Sequence, residues 1–181
     1  MKYKWYVLAL ILVASGRAYS GEFVTTEPND ASYQYVSNYK IEIDASPDTV
    51  WNHLIDLKSW MYEFEMSHVS GDPGQVGEVL RLYPNQNFLI QITGKVKNQV
   101  LTISNLPSTM GGEDSTGVGL ITMDSIEGKT VVNLVMSRRY TWNGDGVNAM
   151  KMKRSSTEFQ GGTAMTWNKF LQKLKELSEQ T

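Results

Sequence analysis

Between Ser67 and Thr141 the chain shows strand signals broken by turn chemistry and no helical period, and one amphipathic stripe follows near the carboxyl end. Together these restrict the fold to segregated strands and helices, because alternating βαβ units would interleave the two patterns. The strands are predicted at roughly residues 67–71, 77–83, 88–97, 99–105, 118–126 and 130–142. Asp72-Pro73-Gly74, Pro84-Asn85, Lys97-Asn98 and Glu127-Gly128 supply turns between them. Phe88, Ile90, Ile92 and Val96 alternate with Gln91, Thr93, Lys95 and Lys97, so one sheet face is wet. Residues 106–117 hold Pro107, Gly111, Gly112 and Gly117 and are expected as a mobile loop.

The closing stripe consists of Trp167, Phe170, Leu171, Leu174 and Leu177, opposed by Lys169, Lys173, Lys175 and Glu176. Ser155 and Glu158 have capping-box spacing for a helix starting there. Gly161-Gly162 makes a later start at Thr163 an equal alternative, or else a hinge.

Ahead of the strand run, Ile41, Ile43 and Ala45 alternate with Lys40, Glu42 and Asp44, as in a half-buried strand. Ser46 can cap the helix that follows, Pro47 fits its first turn, and Asp48 suits the positive end of its dipole. Val50, Trp51, Leu54, Ile55 and Leu57 share one face, and residues 60–64 continue as a second short helix or turn. The expected fold is therefore α+β: a curved antiparallel sheet wrapped around a long C-terminal helix, with short helices after the first strand.

The amino end has the order of a secretory signal: Lys2 and Lys4, an apolar run from Trp5 to Ala14, then small and polar residues to Ala18-Tyr19-Ser20. Cleavage after Ser20 fits best, with Ala18 second. The run is too short for a span, which needs about 20 apolar residues, so no stable membrane crossing is expected after cleavage. An uncleaved anchor is the alternative. Residues 1–20 are read as the signal, 21–36 as a lead-in with little fixed structure, and 37–181 as one domain. The product is expected to be exported, periplasmic or secreted.

Loss of residues 1–20 would remove Lys2, Lys4 and Arg17 and no acid, taking the formal charge from −2 by three units to −5. This charge argues against nucleic acid as a partner, since its binders concentrate positive charge. The absence of cysteine excludes disulfides and thiolate metal sites.

The run Ile41-Glu42-Ile43-Asp44-Ala45-Ser46-Pro47-Asp48-Thr49-Val50-Trp51-Asn52-His53-Leu54-Ile55-Asp56 resembles the opening strand, Pro turn and first helix of the START-like superfamily. That superfamily is also called SRPBCC, the polyketide cyclase, dehydrase and lipid-transport superfamily. Trp60, the Val76-Gly77 pair and Trp167 to Leu177 extend the resemblance over most of residues 39–178. It implies a helix-grip fold. The motifs involved are structural, so function has to be argued from a site.

Candidate chemistry is sparse. His53 and His68 lack partners at metal-ligand spacing, Glu63 and Glu65 at i, i+2 do not share a helix face, and Gly117-Val118-Gly119 is too little for a phosphate loop. No catalytic residue, metal or cofactor is assigned. Val132, Leu134, Met136, Arg138 and Tyr140 fall on one face of a predicted strand. If that row faces inward, Arg138 can grip a ligand carboxylate or hydroxyl, with Tyr140 or Tyr83 adding a polar contact. If the inner row is Val131, Asn133, Val135, Ser137 and Arg139, the assignment fails, and a structural ion pair at the rim is a further alternative. Arg81 and Tyr83 share a strand face with Val79 and are second choices. Met136 and Trp167 are expected to line the interior, as are Met123 and Met165, thioethers suiting a variable apolar shape.

Binding or carriage of a small hydrophobic molecule (a lipid, isoprenoid or polyketide-like compound) outside the cytoplasm is the preferred function. The alternatives are a cyclase or dehydratase-type enzyme and an exported interaction module using residues 106–117.

Overall fold

A computed structural model describes residues 22–26, 32–106, 108–110, 113–142 and 156–180. Residues 1–20, read above as a signal, and Ser155 lie outside them. In chain order the elements are β1 (Glu22–Thr26), β2 (Ser32–Ile43), α1 (Pro47–Leu54), α2 (Leu57–Trp60), a 3-10 turn (Tyr62–Phe64), β3 (Ser67–Ser70), β4 (Val79–Leu82), β5 (Phe88–Val96), β6 (Val100–Asn105), β7 (Ser108–Met110), β8 (Glu113–Ile126), β9 (Lys129–Trp142) and α3 (Thr157–Glu179).

Among the described residues nine strands form one antiparallel sheet in the order β1-β2-β9-β8-β6-β5-β4-β3, with β7 paired to β8. The long β8–β9 hairpin keeps an unbroken register from Ile126↔Lys129 to Glu113↔Trp142. Its two-residue turn places Glu127 at φ 51° and Gly128 at φ 83°, the left-handed pair that such tight hairpins need. Register breaks between Ile92 and Gly94 and between His68 and Ser70 mark bulges, which bend a strand and increase its twist.

The start of α1 follows its sequence. Ser46 Oγ accepts from Thr49 N at 3.2 Å, Pro47 stands in the first turn, and Val50, Trp51 and Leu54 are buried. Trp60 ends α2 fully buried, its indole N–H donating to Leu54 O at 3.1 Å.

α3 runs beside β2 and against α1 and α2. Trp167, Phe170, Leu171 and Leu174 enter the main core with Leu134, Ile121 and Leu101 of the sheet. Burial of each such side chain contributes about 1.5–3 kcal/mol. Glu179 Oε1 accepts from Asp44 N at 2.7 Å and Lys175 Nζ donates to Glu42 O at 2.8 Å, so the helix end is tied to the end of β2.

Three expectations are corrected. Of residues 21–36, expected to have little fixed structure, Glu22–Thr26 form β1 and Ser32 onward begins β2, paired from Glu22↔Asn38 to Thr26↔Gln34. The polar mixture hid the alternation Tyr33, Tyr35, Ser37, Tyr39, all of which are buried. Within residues 106–117, expected as a mobile loop, Ser108–Met110 is a strand that pairs with the first residues of β8. α3 does not wait for Thr163: it is continuous from Thr157, capped by Ser156, whose Oγ accepts from Phe159 N at 3.2 Å. Tertiary contacts on both sides of Gly161-Gly162 carry the helix through them.

No helix among the described residues is long and apolar enough to cross a membrane.

Candidate ligand-binding site

Alternating burial fixes which face of each strand looks toward α3. On β9 Val132, Leu134, Met136 and Tyr140 are buried with Arg138 in the same row, whereas Arg139 is exposed. The inner row is therefore the one that carries Arg138. Register then maps the concave face into cross-strand rows. Tyr39, Leu134, Ile121 and Leu101 form one; Ser37, Met136, Gly119 and Ile103 form the next; Tyr35, Arg138 and Gly117 follow; Tyr33, Tyr140 and Ser115 come last.

Among the described residues the buried hydrophobic side chains divide into two clusters along this series. The main one reaches Met136 and Trp167, and the second holds Tyr33, Tyr35 and Tyr140 with Phe159 packed on it. Arg138 lies between them. Its guanidinium carbon sits 5.4 Å from the Phe88 ring centre and 6.0 Å from that of Tyr140, and its Nη1 donates to Tyr140 Oη at 3.4 Å. Aromatic faces attract a guanidinium and shield it from water.

Two glycines make the crowding possible. A Cβ on Gly119 would lie 2.8 Å from both Ile103 Cγ1 and Met136 Sδ. A Cβ on Gly117 would lie 3.3 Å from Arg138 Nε and 3.4 Å from Asn105 Nδ2. The Asn105 amide nitrogen and the hydroxyls of Ser37, Tyr39 and Ser115 are buried without a hydrogen-bond partner among the described residues.

Tyrosine ionisation follows the burial. Desolvation pushes Tyr35 far above the ordinary phenol value, Tyr140 adds to the rise, and the Arg138 charge opposes it. Burial raises Tyr33, against the pull of its Gln160 hydrogen bond, in which Gln160 Nε2 donates at 3.0 Å. Tyr39 is raised by burial too, the neighbouring Ser37 hydroxyl pulling the other way from outside good hydrogen-bond geometry. These hydroxyls remain protonated donors throughout the neutral range.

No protein-family model and no curated protein matches the chain. Solved structures match it in three dimensions. The Aha1 dimer from Colwellia psychrerythraea aligns at TM-score 0.54 and 19% identity, covering 80% of this chain and 96% of that one. Protein CV1439 from Chromobacterium violaceum aligns at TM-score 0.56 and 14% identity, covering 80% and 96%. Ara h 8.0201 aligns at TM-score 0.59 and 9% identity, covering 82% and 99%. The chain shares the helix-grip fold of these structures. At such identities the likeness speaks to architecture alone.

Within this helix-grip fold the candidate residues do not all converge. Met136, Arg138 and Tyr140 share the inner row of β9, and Trp167 faces the neighbouring Tyr39 with ring centres 6.4 Å apart. Tyr83 stands at the rim: its φ of 63° ends β4, its N–H donates to Phe64 O at 2.9 Å, and it is 38% exposed. Burial raises its pKa, with Glu63 and Glu65 adding and Arg138 opposing. Arg81 goes elsewhere, since Leu80 and Leu82 point into the core and Arg81 alternates to the outer face of β4. Met165, expected inside, is 58% exposed, because α3 turns that position to solvent.

The other titratable candidates are accounted for locally. His68 Nε2 lies 2.7 Å from Gly71 O, and Glu63 pairs with Lys169 at 3.3 Å. Among the described residues no group of three or more potential metal ligands occurs. Sequence reasoning missed Asn105, Phe88, Tyr35 and Ser115 around Arg138. It also set Gly117-Val118-Gly119 aside, although two glycines at i, i+2 on a strand mark one side-chain-free line on one face.

Proposed function

We propose that the protein binds or carries a small hydrophobic molecule, such as a lipid, isoprenoid or polyketide-like compound, between the concave sheet face and the amino half of α3. The observation that carries this reading is the division of the buried side chains into two clusters. Phe159 and Gln160 meet the Tyr140 and Tyr33 end of the sheet, and Trp167 meets Tyr39. The helix between them passes over the rows of Arg138 and Met136 with only Gly161, Gly162, Thr163, Ala164, Met165 and Thr166, of which Gly161, Gly162 and Met165 face solvent. Small side chains on this stretch of the helix suit a guest between the layers, where apolar walls supply affinity and a few polar groups set orientation.

The described inner-row positions carry hydroxyls, an amide and a guanidinium, a lining suited to holding a guest, so the proposal is binding in preference to proton transfer. A location outside the cytoplasm is part of the proposal and rests on the signal-like order of residues 1–20. Native mass spectrometry and organic extraction of the purified protein test the binding. An apolar compound retained or taken up in a one-to-one complex is expected. Failure to bind any apolar compound, together with an experimental structure filled between Met136 and α3, would overturn it.

A further inference from the structure

We propose that the guest carries an uncharged oxygen, a hydroxyl or a carbonyl, held between the Ser37 and Tyr39 hydroxyls on β2 beneath the amino half of α3. This rests on the reading that the space between sheet and helix takes a hydrophobic guest, and it adds the polar group that guest would carry.

The two residues stand at i and i+2 on β2, so both side chains project from the face that α3 covers. Both are fully buried, and among the described residues neither Ser37 Oγ nor Tyr39 Oη has a hydrogen-bond partner. The hydroxyls are near enough for Ser37 to oppose the rise that burial gives the Tyr39 phenol, yet the geometry between them makes no bond. Folded proteins seldom leave one buried hydroxyl so, and here two neighbours share the condition.

The surrounding elements explain why. Across the ladder Ser37 faces Met136 and Tyr39 faces Leu134, and neither side chain donates a hydrogen bond. Between the contacts of Gln160 with Tyr33 and of Trp167 with Tyr39, the half-buried residues of the helix are Thr163, Ala164 and Thr166. Thr163 and Thr166 commit their hydroxyl hydrogens to Phe159 O and Gly162 O, and Ala164 has none to give. A third oxygen set between the pair satisfies both: a carbonyl accepts from each, and a hydroxyl accepts from one and donates to the other.

The place disfavours charge. Met136, Gly119 and Ile103 in the row of Ser37, and Leu134, Ile121 and Leu101 in that of Tyr39, are all uncharged. Arg138, one row on, turns its guanidinium to the Phe88 and Tyr140 rings. A carboxylate or ammonium between the two hydroxyls would lose its water without gaining a counter-charge, whereas a neutral oxygen exchanges hydrogen bonds with water for hydrogen bonds with the protein.

Naphthalene, 2-naphthol and 2-naphthoate share one ring system and differ in the oxygen-bearing group, so they serve as probes on the full chain at neutral pH. Titration calorimetry is expected to show 2-naphthol binding at least roughly fivefold more tightly than naphthalene, with 2-naphthoate weaker than 2-naphthol. S37A and Y39F each remove a hydroxyl and little else. Each is expected to bring the naphthol-to-naphthalene ratio toward unity while leaving the urea midpoint of the unliganded protein unchanged or raised, because an unpartnered buried hydroxyl does not stabilise the empty fold. A lowered midpoint in either variant would show that the hydroxyl is already satisfied, by its neighbour or by a buried water, and overturns the assignment. Equal binding of 2-naphthol and naphthalene, a ratio unchanged in both variants, or 2-naphthoate binding as tightly as 2-naphthol overturns it as well and leaves hydrophobic binding standing. If none of the three compounds binds, the hydrophobic reading falls and the assignment falls with it.

Discussion

The two halves of α3 are built for different ends. The carboxyl half buries Trp167, Phe170, Leu171 and Leu174, and Phe170 meets the Phe64 ring edge-on at 4.8 Å and the Tyr62 ring at 6.0 Å. Among the described residues the amino half sets half-buried Phe159 on the tyrosine cluster, packs Ala164 against the main core and sends a side-chain hydrogen bond from Gln160 to Tyr33. Its Thr163 and Thr166 hydroxyls turn back onto Phe159 O and Gly162 O, each at 3.0 Å, as donors to the helix's own carbonyls. Packing at one end holds the helix in place. The other end then spans the sheet with small side chains, over the rows where Arg138 and Asn105 face inward.

Truncation of an aromatic in each half gives the sharpest contrast. Phe170→Ala removes a fully buried ring from the main core and is expected to cost about 3–5 kcal/mol in urea unfolding. Phe159→Ala removes a partly buried ring that touches Tyr140, with centres 6.5 Å apart, and is expected to cost only about 1–2 kcal/mol. Equal losses would abolish the distinction between an anchored half and a light one.

A second contrast lies on the sheet, at the border between the two regions. In Gly119→Ala the new methyl would meet Ile103 Cγ1 and Met136 Sδ at 2.8 Å. Met136 can swing its thioether away, but β-branched Ile103 is stiffer, so overpacking of about 1–3 kcal/mol is expected in the same unfolding measurement. A neutral result would show that the layers have slack as far down as Met136, and would move the boundary of the packed region toward Leu134.

Much of this division was legible in the residues. The stripe from Trp167 to Leu174, the Ser46 cap and the strand alternation all follow local periodicity, which tertiary packing reinforced. The row through Met136, Arg138 and Tyr140 was also legible, though choosing it over its neighbour needed the cross-strand partners. Arg81 was misplaced relative to the interior because Val79, also buried, sits on its face while the core is lined by Leu80 and Leu82. β1 is only five residues long, and the start of β2 carries Ser and Asn, turn formers in isolation that fill strand positions when a partner supplies the ladder. Asn105 beside Gly117 could not be read from spacing, since the two meet only through the pairing of β6 with β8.

The smallest effect has the opposite sign. Gly161 and Gly162 lie inside α3, exposed, with nothing within 4 Å of where a Cβ would stand. Glycine in a helix interior is less stable than alanine by roughly 0.5–1 kcal/mol, because the unfolded chain has more freedom to lose. Gly162→Ala should therefore raise stability by about that amount, read as a higher urea midpoint with an unchanged slope. Position 119 loses stability from the same substitution, since there a methyl meets Ile103 and Met136 and here it meets open space. If Gly162→Ala instead destabilises the chain, the amino half of α3 is packed against a surface at that position, and the light half proposed here does not exist.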